Sequence, residues 1–554
     1  MVVPKFAGMS GKMLGRAVTT TATMGFLLFG YDRECIEPTE RHLLTKYLPE
    51  GVMSSIIDAP AFTDVLTELR DDATLQGTVT AIYEIGCLFG AIFMLIWGDW
   101  LGRRKGIISG ATIMILGVII QVTSYAGKQP LAQFTIGRII TGVGNGMNTS
   151  TIPTYQAECS RTSNRGLLIC IEGGTIAFGT LIAYWIDFGA SYGAPDLIWR
   201  FPIAFQCLFG VFIIIGMLVL PESPRWLFTR ERYEEGETVI AALMGAERDS
   251  HEVILQKNII MDAIRASGQI AKTTPMSAVF TGGKTQHFRR MLLGASSQLM
   301  QQIGGCNAVI YYLPILFRNS VGLEGRLPQI LGGVNMVVYS IFATASWFLI
   351  ERVGRRKLFL YGTVGQMVSM VITFACLIPG TTGPAKGAAF GLFTYIASFG
   401  ATWLPLPWLY PAEISPIKTR AKANALSTCS NWLFNFLIVM VTPIMIANIK
   451  WGTYLFFAAM NACFLPVIYF FYPETARRSL EEIDLIFAKG FSENISYVRA
   501  AKELPYLSDE DVERMAIQYG FGSPDQTKAY ENSDSAGDAS PNENEKATTH
   551  HEIS

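Results

Sequence analysis

Long apolar runs alternate with short polar stretches along the chain of 554 residues. A helix that crosses the hydrocarbon core of a bilayer needs about 20 mostly apolar residues, so runs of this length predict transmembrane helices. Twelve such runs predict an all-α membrane protein. We place the spans at 17–32, 75–98, 106–126, 130–154, 165–187, 200–221, 291–317, 327–350, 357–379, 386–411, 423–447 and 452–472.

The polar stretches between the runs define the predicted domains. An N-terminal segment at 1–16 precedes a six-helix bundle at 17–221, and a middle loop at 222–290 leads to a second six-helix bundle at 291–472. The tail at 473–554 is polar, and after about residue 520 it holds too few apolar residues to fold alone. Lysine and arginine gather in alternate loops, which predicts that these loops and both termini face the cytoplasm.

The two bundles repeat each other in the same direction. GRRK at 102–105 recurs at 354–357, PE at 221–222 recurs at 473–474, and the Glu158 and Arg165 pair recurs as Glu413 and Arg420. Parallel repeats of six helices around a central site are the architecture of alternating-access transporters. The alternative is a duplicated scaffold without transport.

Composition supports a membrane protein and narrows the chemistry. Half of the residues are hydrophobic and only 16% are charged, while 44 basic residues nearly balance 45 acidic ones. This balance, without a long basic run, gives no support for nucleic-acid binding. The sequence contains neither a metal-ligand cluster nor a pairing of nucleophile and base, so we expect no metal, no cofactor and no enzymatic activity.

Seven short motifs mark the loops and helix ends of both bundles. They are GDWLGRR at 98–104, GR at 137–138, PTYQAE at 153–158, PESPRWL at 221–227, QQ at 301–302 with Asn307, ERVGRR at 351–356 and PET at 473–475. On these motifs the chain resembles the sugar porter family of the major facilitator superfamily. The runs AYWIDFG at 183–189 and WLYPAEI at 408–414 are similar to fungal members, including glycerol–proton symporters.

A few ionisable residues fall within the predicted spans, where a charge is costly unless it faces a partner or a cavity. The resemblance implies that Asp32, in Phe-Gly-Tyr-Asp, and Arg138 form a pair that switches when the acid takes up a proton. The alternative for this pair is a static ion pair between two helices. Glu84 is either a second proton site or a buried, hydrogen-bonded acid.

Amide side chains and a tryptophan supply what a hydroxylated substrate needs, because amides both donate and accept hydrogen bonds and aromatic rings cover C–H surfaces. The resemblance implies substrate contacts from this group. The alternative is ordinary hydrogen bonding between helices. The candidate substrate residues are Gln301, Gln302, Asn307, Asn335, Trp408, Asn431 and Asn435.

Acids and arginines gather at the predicted cytoplasmic helix ends of both halves. Paired across the halves, they would form a clasp that closes the inner gate, although single exposed pairs contribute only about 0–1 kcal/mol. The alternative is that these charges only set topology. The predicted inner-gate network consists of Asp99, Arg103, Arg104, Glu158, Arg165, Glu222, Glu351, Arg355, Arg356, Glu413, Arg420 and Glu474.

Two departures from the family pattern affect the prediction. Hexose porters carry a glutamine where this chain has Gly173, so we do not choose between a hexose and a polyol. The segment 33–50 separates Phe-Gly-Tyr-Asp from Gly-Val-Met-Ser, which adjoin in the family, and it leaves a first span of only 16 residues. We interpret 33–50 as translated intron sequence, which sequencing of the transcript would test.

The leading hypothesis is a multi-pass plasma-membrane transporter that couples a proton to a sugar or small polyol, such as a hexose, a pentose or glycerol. Its expected partners are this small molecule, the proton and the lipid bilayer. A facilitator with the same cavity and a transporter-like nutrient sensor are the alternatives.

Overall fold

A computed structural model describes residues 3–34, 65–69, 73–125, 127, 129–160, 165–273, 276–315, 317, 327–379, 382–416, 419–507 and 509–519. Within these ranges the chain is helical, and its β pairing is limited to one isolated bridge between Phe6 and Met9. Most of the segment interpreted as intron sequence, 35–50, and the tail from 520 onward lie outside the described residues.

The described residues of the first half form six long helices. They are α1 (Gly11–Glu34), α2 (Ala73–Leu101), α3 (Arg103–Val122), α4 (Pro130–Cys159), α5 (Arg165–Ala190) and α6 (Pro195–Val219). A short 3₁₀ turn, Thr67–Leu69, precedes α2. The middle region then forms α7 (Pro224–Thr229), α8 (Tyr233–Met244), α9 (His251–Thr273) and the 3₁₀ turn Met276–Phe280.

The second half repeats the pattern with two interruptions. Its helices are α10 (His287–Ile303), α11 (Cys306–Ile315), α12 (Leu327–Val353), α13 (Arg355–Leu377), α14 (Thr382–Ser398), α15 (Leu406–Ile414), α16 (Arg420–Ile449) and α17 (Gly452–Phe471). A π-helical turn, Phe399–Trp403, lies between α14 and α15. The chain continues through α18 (Leu480–Ser492), α19 (Tyr497–Glu503) and α20 (Asp509–Gln518).

Eight stretches of the described helices are long and apolar enough to span a membrane by composition alone. The other four predicted spans correspond to α1, α4, α5 and the broken pair α10 and α11. The helix at the first predicted span is longer than its 16-residue apolar run, because α1 begins at Gly11 and has 24 residues. Lys12 and Arg16 belong to the helix although they lie outside the apolar run.

Close backbone contacts fix the helices that carry the buried polar residues. A Cβ on Gly146 of α4 would lie 2.1 Å from the carbonyl oxygen of Cys87 on α2, so these two helices touch through their backbones. The halves also share a core. Phe29 of α1 meets the ring of Trp432 of α16 edge-on, with centroids 5.6 Å apart, and Ser340 of α12 donates to the carbonyl of Ala177 on α5 at 3.1 Å.

Candidate functional site

Asp32 lies near the end of α1 and is buried inside the first half. The helix reaches this position because α1 packs closely along α5, where Thr180 donates to the carbonyl of Gly30 at 3.3 Å. Oδ2 of the carboxylate accepts a hydrogen bond from Nδ2 of Asn145 on α4 at 3.4 Å, and the carboxylate also interacts with the hydroxyl of Tyr83 on α2. The acid predicted from the sequence is therefore a buried group shared between helices.

Arg138 is buried one helix away, on α4. Its Nη2 donates to the carbonyl of Thr80 at 3.2 Å, and its guanidinium lies over the ring of Tyr83, 4.6 Å from the centroid. Nε and Nη1 have no hydrogen-bond partner among the described residues. Asp32 and Arg138 are thus in the same half without the direct hydrogen-bonded pairing that the sequence suggested.

Two residues that the sequence analysis missed connect these charges. Asn145 donates a short hydrogen bond to the hydroxyl of Tyr83, in addition to its bond to Asp32. Asn145 follows Arg138 by seven residues, which is two helical turns and the same helix face, so this spacing was a usable signal. Glu84 is buried next to Tyr83 on α2, and its assignment as a second proton site stays a prediction.

The amide residues of the second half form a hydrogen-bonded group, which we call the amide chain. Asn307 of α11 donates to Gln302 of α10 at 2.5 Å and to Asn435 of α16 through a shorter bond. On the next turns, Asn431 of α16 donates to Gln301 at 3.1 Å. All members are buried. The amide chain comprises Gln298, Gln301, Gln302, Asn307, Asn431 and Asn435.

The amide chain extends to the irregular backbone before α15 and to the first turn of α15 itself. Gln301 donates to the carbonyls of Trp403 and Leu404 at 2.7 and 3.3 Å, and Gln298 donates to the carbonyl of Pro407 at 2.7 Å. The π-helical turn and the following prolines present these carbonyls to side chains. Gln298 was not predicted, although it precedes Gln301 by three residues and so shares its helix face.

Two candidate substrate residues lie apart from the amide chain. Asn335 is buried on α12, and neither of its amide atoms has a hydrogen-bond partner among the described residues. Trp408 is half-buried on α15. Their predicted substrate contacts stay predictions.

Gly173 lies where α5 meets the second half. A Cβ on Gly173 would be 3.5 Å from Cβ of Pro405, an ordinary contact, whereas a Cβ on Gly174 would be 2.4 Å from Nε1 of Trp347. The neighbouring Glu172 is buried, and its Oε1 has no hydrogen-bond partner within the described part of the chain.

The charged residues of the first half meet at the turn between α2 and α3. Arg103 binds Asp99 at 2.7 Å and Glu158 at 3.1 Å. The Glu222 carboxylate accepts from the backbone N–H groups of Arg103 and Arg104, each at 3.1 Å. Burial raises the pKa of Glu222 although these N–H groups favour its charged form. The turn bends at Gly102, whose φ of 89° suits glycine.

The second half repeats this cluster. Arg355 binds Glu351 and Glu413, each at 2.7 Å, and Glu474 accepts from the backbone N–H groups of Arg355 and Arg356 at 2.8 and 3.1 Å. Gly354 has a φ of 94°, matching the turn of the first half. The sequence repeat therefore reproduces a structural repeat.

The ion pairs of Arg103 and Arg355 each join residues of one half. Each arginine lies at a tight turn that holds the acids of its own bundle within reach, and pairing across the halves stays a prediction. Arg420 donates to the carbonyl of Ser415 at 3.3 Å, and the side chain of Arg165 lies outside the described part.

Known proteins match the chain over most of its length. A family model described as "Sugar (and other) transporter" matches residues 18–487. The chain is 44% identical to "Sugar transporter STL1" of Saccharomyces cerevisiae over 93% of this chain and 88% of that protein. It is 42% identical to "Major facilitator superfamily transporter mfsA" of Aspergillus fumigatus over 94% of both chains.

Solved structures share the fold at lower identity. The proton:xylose symporter XylE, bound to 6-bromo-6-deoxy-D-glucose, superposes with a TM-score of 0.70 at 22% identity, covering 85% of this chain and 99% of that one. The inward-open form of XylE from E. coli gives 0.68 at 23% identity, again over 85% and 99% of the chains.

Proposed function

The chain belongs to the sugar (and other) transporter family and has the major facilitator fold, and we propose that it carries a sugar or small polyol across the plasma membrane together with a proton. The members of this family are membrane transporters. The sequence prediction of a transporter rather than an enzyme is thereby confirmed.

The amide chain is the observation that carries the proposed cargo. Its six amides are buried and lie on three helices of the second half. A sugar or polyol hydroxyl both donates and accepts, and an amide offers both functions to it. The 44% identical yeast relative is named a sugar transporter, which supports this cargo class.

Small polyols belong in the proposal because of Gly173. A Cβ at this position of α5 would lie 3.5 Å from Cβ of Pro405, and the glycine present offers no side-chain hydrogen-bonding group. A cargo with few hydroxyl groups forgoes the fewest hydrogen bonds to the protein at such a position. Glycerol is therefore a candidate beside the hexoses and pentoses.

Proton coupling is proposed at Asp32 and Arg138. A proton bound to Asp32 removes the negative charge that balances Arg138, and the net charge of this buried site then rises by one. A net charge in a low-dielectric interior is costly, so protonation favours a rearrangement that hydrates the site. Uptake of the proton and opening of the path thus share one element.

We propose that the ends of the bundles at Arg103 and Arg355 face the cytoplasm, together with both termini. The arginines and lysines of these loops support this orientation, because positive residues remain preferentially on the cytoplasmic side. The two charge clusters then stiffen each bundle at the inner face, so that the halves move as separate bodies during alternating access.

Transport by the purified full-length protein in proteoliposomes tests the proposal. Labelled glycerol, glucose and xylose are offered under an inward proton gradient, and we expect uphill accumulation of at least one. A protonophore and Asp32→Asn should each abolish it. The control is Asp196→Asn, since the Asp196 side chain is 74% exposed on α6.

Downhill uptake that neither the protonophore nor Asp32→Asn changes would indicate a facilitator and contradict the coupling. Failure to move any of the three compounds would contradict the proposed cargo class.

A further inference from the structure

We propose that Asn145 and Tyr83 are positioning residues that keep Asp32 and Arg138 from pairing directly while the acid is charged and that rearrange when it takes up a proton, a role that rests on the proposed proton coupling. The two residues form a bridge across three helices: Asp32 lies on α1, Tyr83 on α2, and both Asn145 and Arg138 on α4.

One amide nitrogen of this bridge donates a hydrogen bond to both Asp32 and Tyr83. Nδ2 of Asn145 donates to Oδ2 of Asp32 at 3.4 Å and, more closely, to the hydroxyl of Tyr83. The ring of the same tyrosine supports the guanidinium of Arg138 at 4.6 Å. The acid and the base are therefore both contacted by the bridge rather than by each other.

The charged groups retain hydrogen-bonding capacity that a direct pair would use. Oδ1 of Asp32 has no hydrogen-bond partner among the described residues, and neither do Nε and Nη1 of Arg138. All three atoms are buried, where unused donors and acceptors are unfavourable. The bridge thus maintains an arrangement that direct contact between Asp32 and Arg138 would otherwise replace.

Protonation changes what Asn145 can do. A protonated Asp32 becomes a hydrogen-bond donor, and Oδ1 of Asn145, which has no partner among the described residues, becomes its natural acceptor. If the amide turns to accept this bond, Nδ2 leaves Tyr83, and the contact that holds the Arg138 side of the bridge is lost. The proton signal would then pass from α1 to α2 and α4 through one amide group.

The experiment distinguishes a loss of proton coupling from a loss of cargo transport. Asn145→Leu replaces the amide by an apolar group of similar branched shape, and Tyr83→Phe removes only the hydroxyl while it keeps the ring beneath Arg138. Tyr497→Phe, which deletes the hydroxyl of a buried tyrosine on α19, is the matched control. In proteoliposomes, each variant is tested for uphill accumulation under a proton gradient and for exchange of labelled cargo at equal pH, where no net proton flow is needed.

We expect Asn145→Leu and Tyr83→Phe to reduce accumulation about 5-fold or more, a typical coupling factor, while exchange stays within about 2-fold of the control. Equal loss of accumulation and exchange would indicate a purely structural role and overturn the inference, as would unchanged accumulation in both variants. If Asn145→Leu fails to fold, Tyr83→Phe decides alone. The proposed function itself would be contradicted if the parent protein did not accumulate cargo. It would also be contradicted if the Asp32→Asn variant still accumulated cargo.

Discussion

Gly30 of α1 lies against the backbone of Ile176 on α5, so closely that a Cβ on the glycine would be 2.1 Å from the isoleucine oxygen. The clashing atom belongs to the backbone, so a change of side-chain rotamer cannot relieve the clash. Asp32 follows two residues later, so the absence of a side chain at Gly30 sets the depth at which this acid enters the bundle.

Gly30→Ala should destabilise the protein by about 1–3 kcal/mol, the usual cost of overpacking. Gly15→Ala is the control on the same helix, because a Cβ there meets nothing within 4 Å; it should be neutral or stabilise by up to about 1 kcal/mol. Thermal melting in detergent measures both effects. Equal melting temperatures for the two variants would contradict the close contact.

Adjacent glycines on α5 should respond differently to alanine. Gly174→Ala brings a Cβ to 2.4 Å from Nε1 of Trp347, whereas Gly173→Ala gains only an ordinary contact with Pro405. We expect Gly174→Ala to reduce the maximal transport rate about 10-fold, which corresponds to about 1.4 kcal/mol, and Gly173→Ala to stay near the parent. Initial rates at saturating cargo provide the measurement, and the reverse order would refute the geometry.

Arg103 has one exposed and one buried acidic partner. The effects of removing each partner on stability can therefore be compared within one protein. The side chain of Asp99 is 93% exposed and that of Glu158 only 5%. Asp99→Asn should therefore cost about 0–1 kcal/mol, and Glu158→Gln about 3 kcal/mol or more, because it leaves a largely buried cation with only its exposed partner, Asp99. Melting temperatures of the two variants, compared at the same pH, test this difference; similar losses would contradict it.

Asn431 is expected to affect cargo affinity. Its Nδ2 contacts both Gln298 and Gln301, so Asn431→Leu should raise the KM for transport about 10-fold, equivalent to one good hydrogen bond. Asn448→Leu alters an exposed amide of the same helix and should leave the KM unchanged. If the KM does not move in Asn431→Leu, the amide chain is a structural network only.

The helices were predictable where the membrane dictates their length. The predicted span 106–126 corresponds to α3, Arg103–Val122, because a bilayer demands about 20 apolar residues whatever their detailed order. The repeat was also informative, since Arg103 and Arg355 make equivalent contacts in their own bundles. In contrast, α1 extends back to Gly11 beyond its apolar run, and hydropathy carries no signal for that part.

The contacts of the candidate site were harder to predict from the sequence than the helices were. Tyr83 and Asn145 meet because α2 and α4 approach through glycines and are rotated so that both side chains face α1. Helical spacing alone points to Asn145 but not to its partner on another helix. Pairing across the halves was predicted for the charge clusters because the repeat shows which residues are equivalent, not which of them are neighbours.

The proposed cargo site at the amide chain has a consequence for how tightly cargo would be held. Each amide already has a protein partner, as Asn307 does in Gln302, so an arriving hydroxyl exchanges one hydrogen bond for another and gains only about 0.5–1.5 kcal/mol for each. Binding of this kind has low affinity, and the cargo dissociates quickly. A carrier built in this way favours turnover over retention and works best where its nutrient is abundant or the driving gradient is steep.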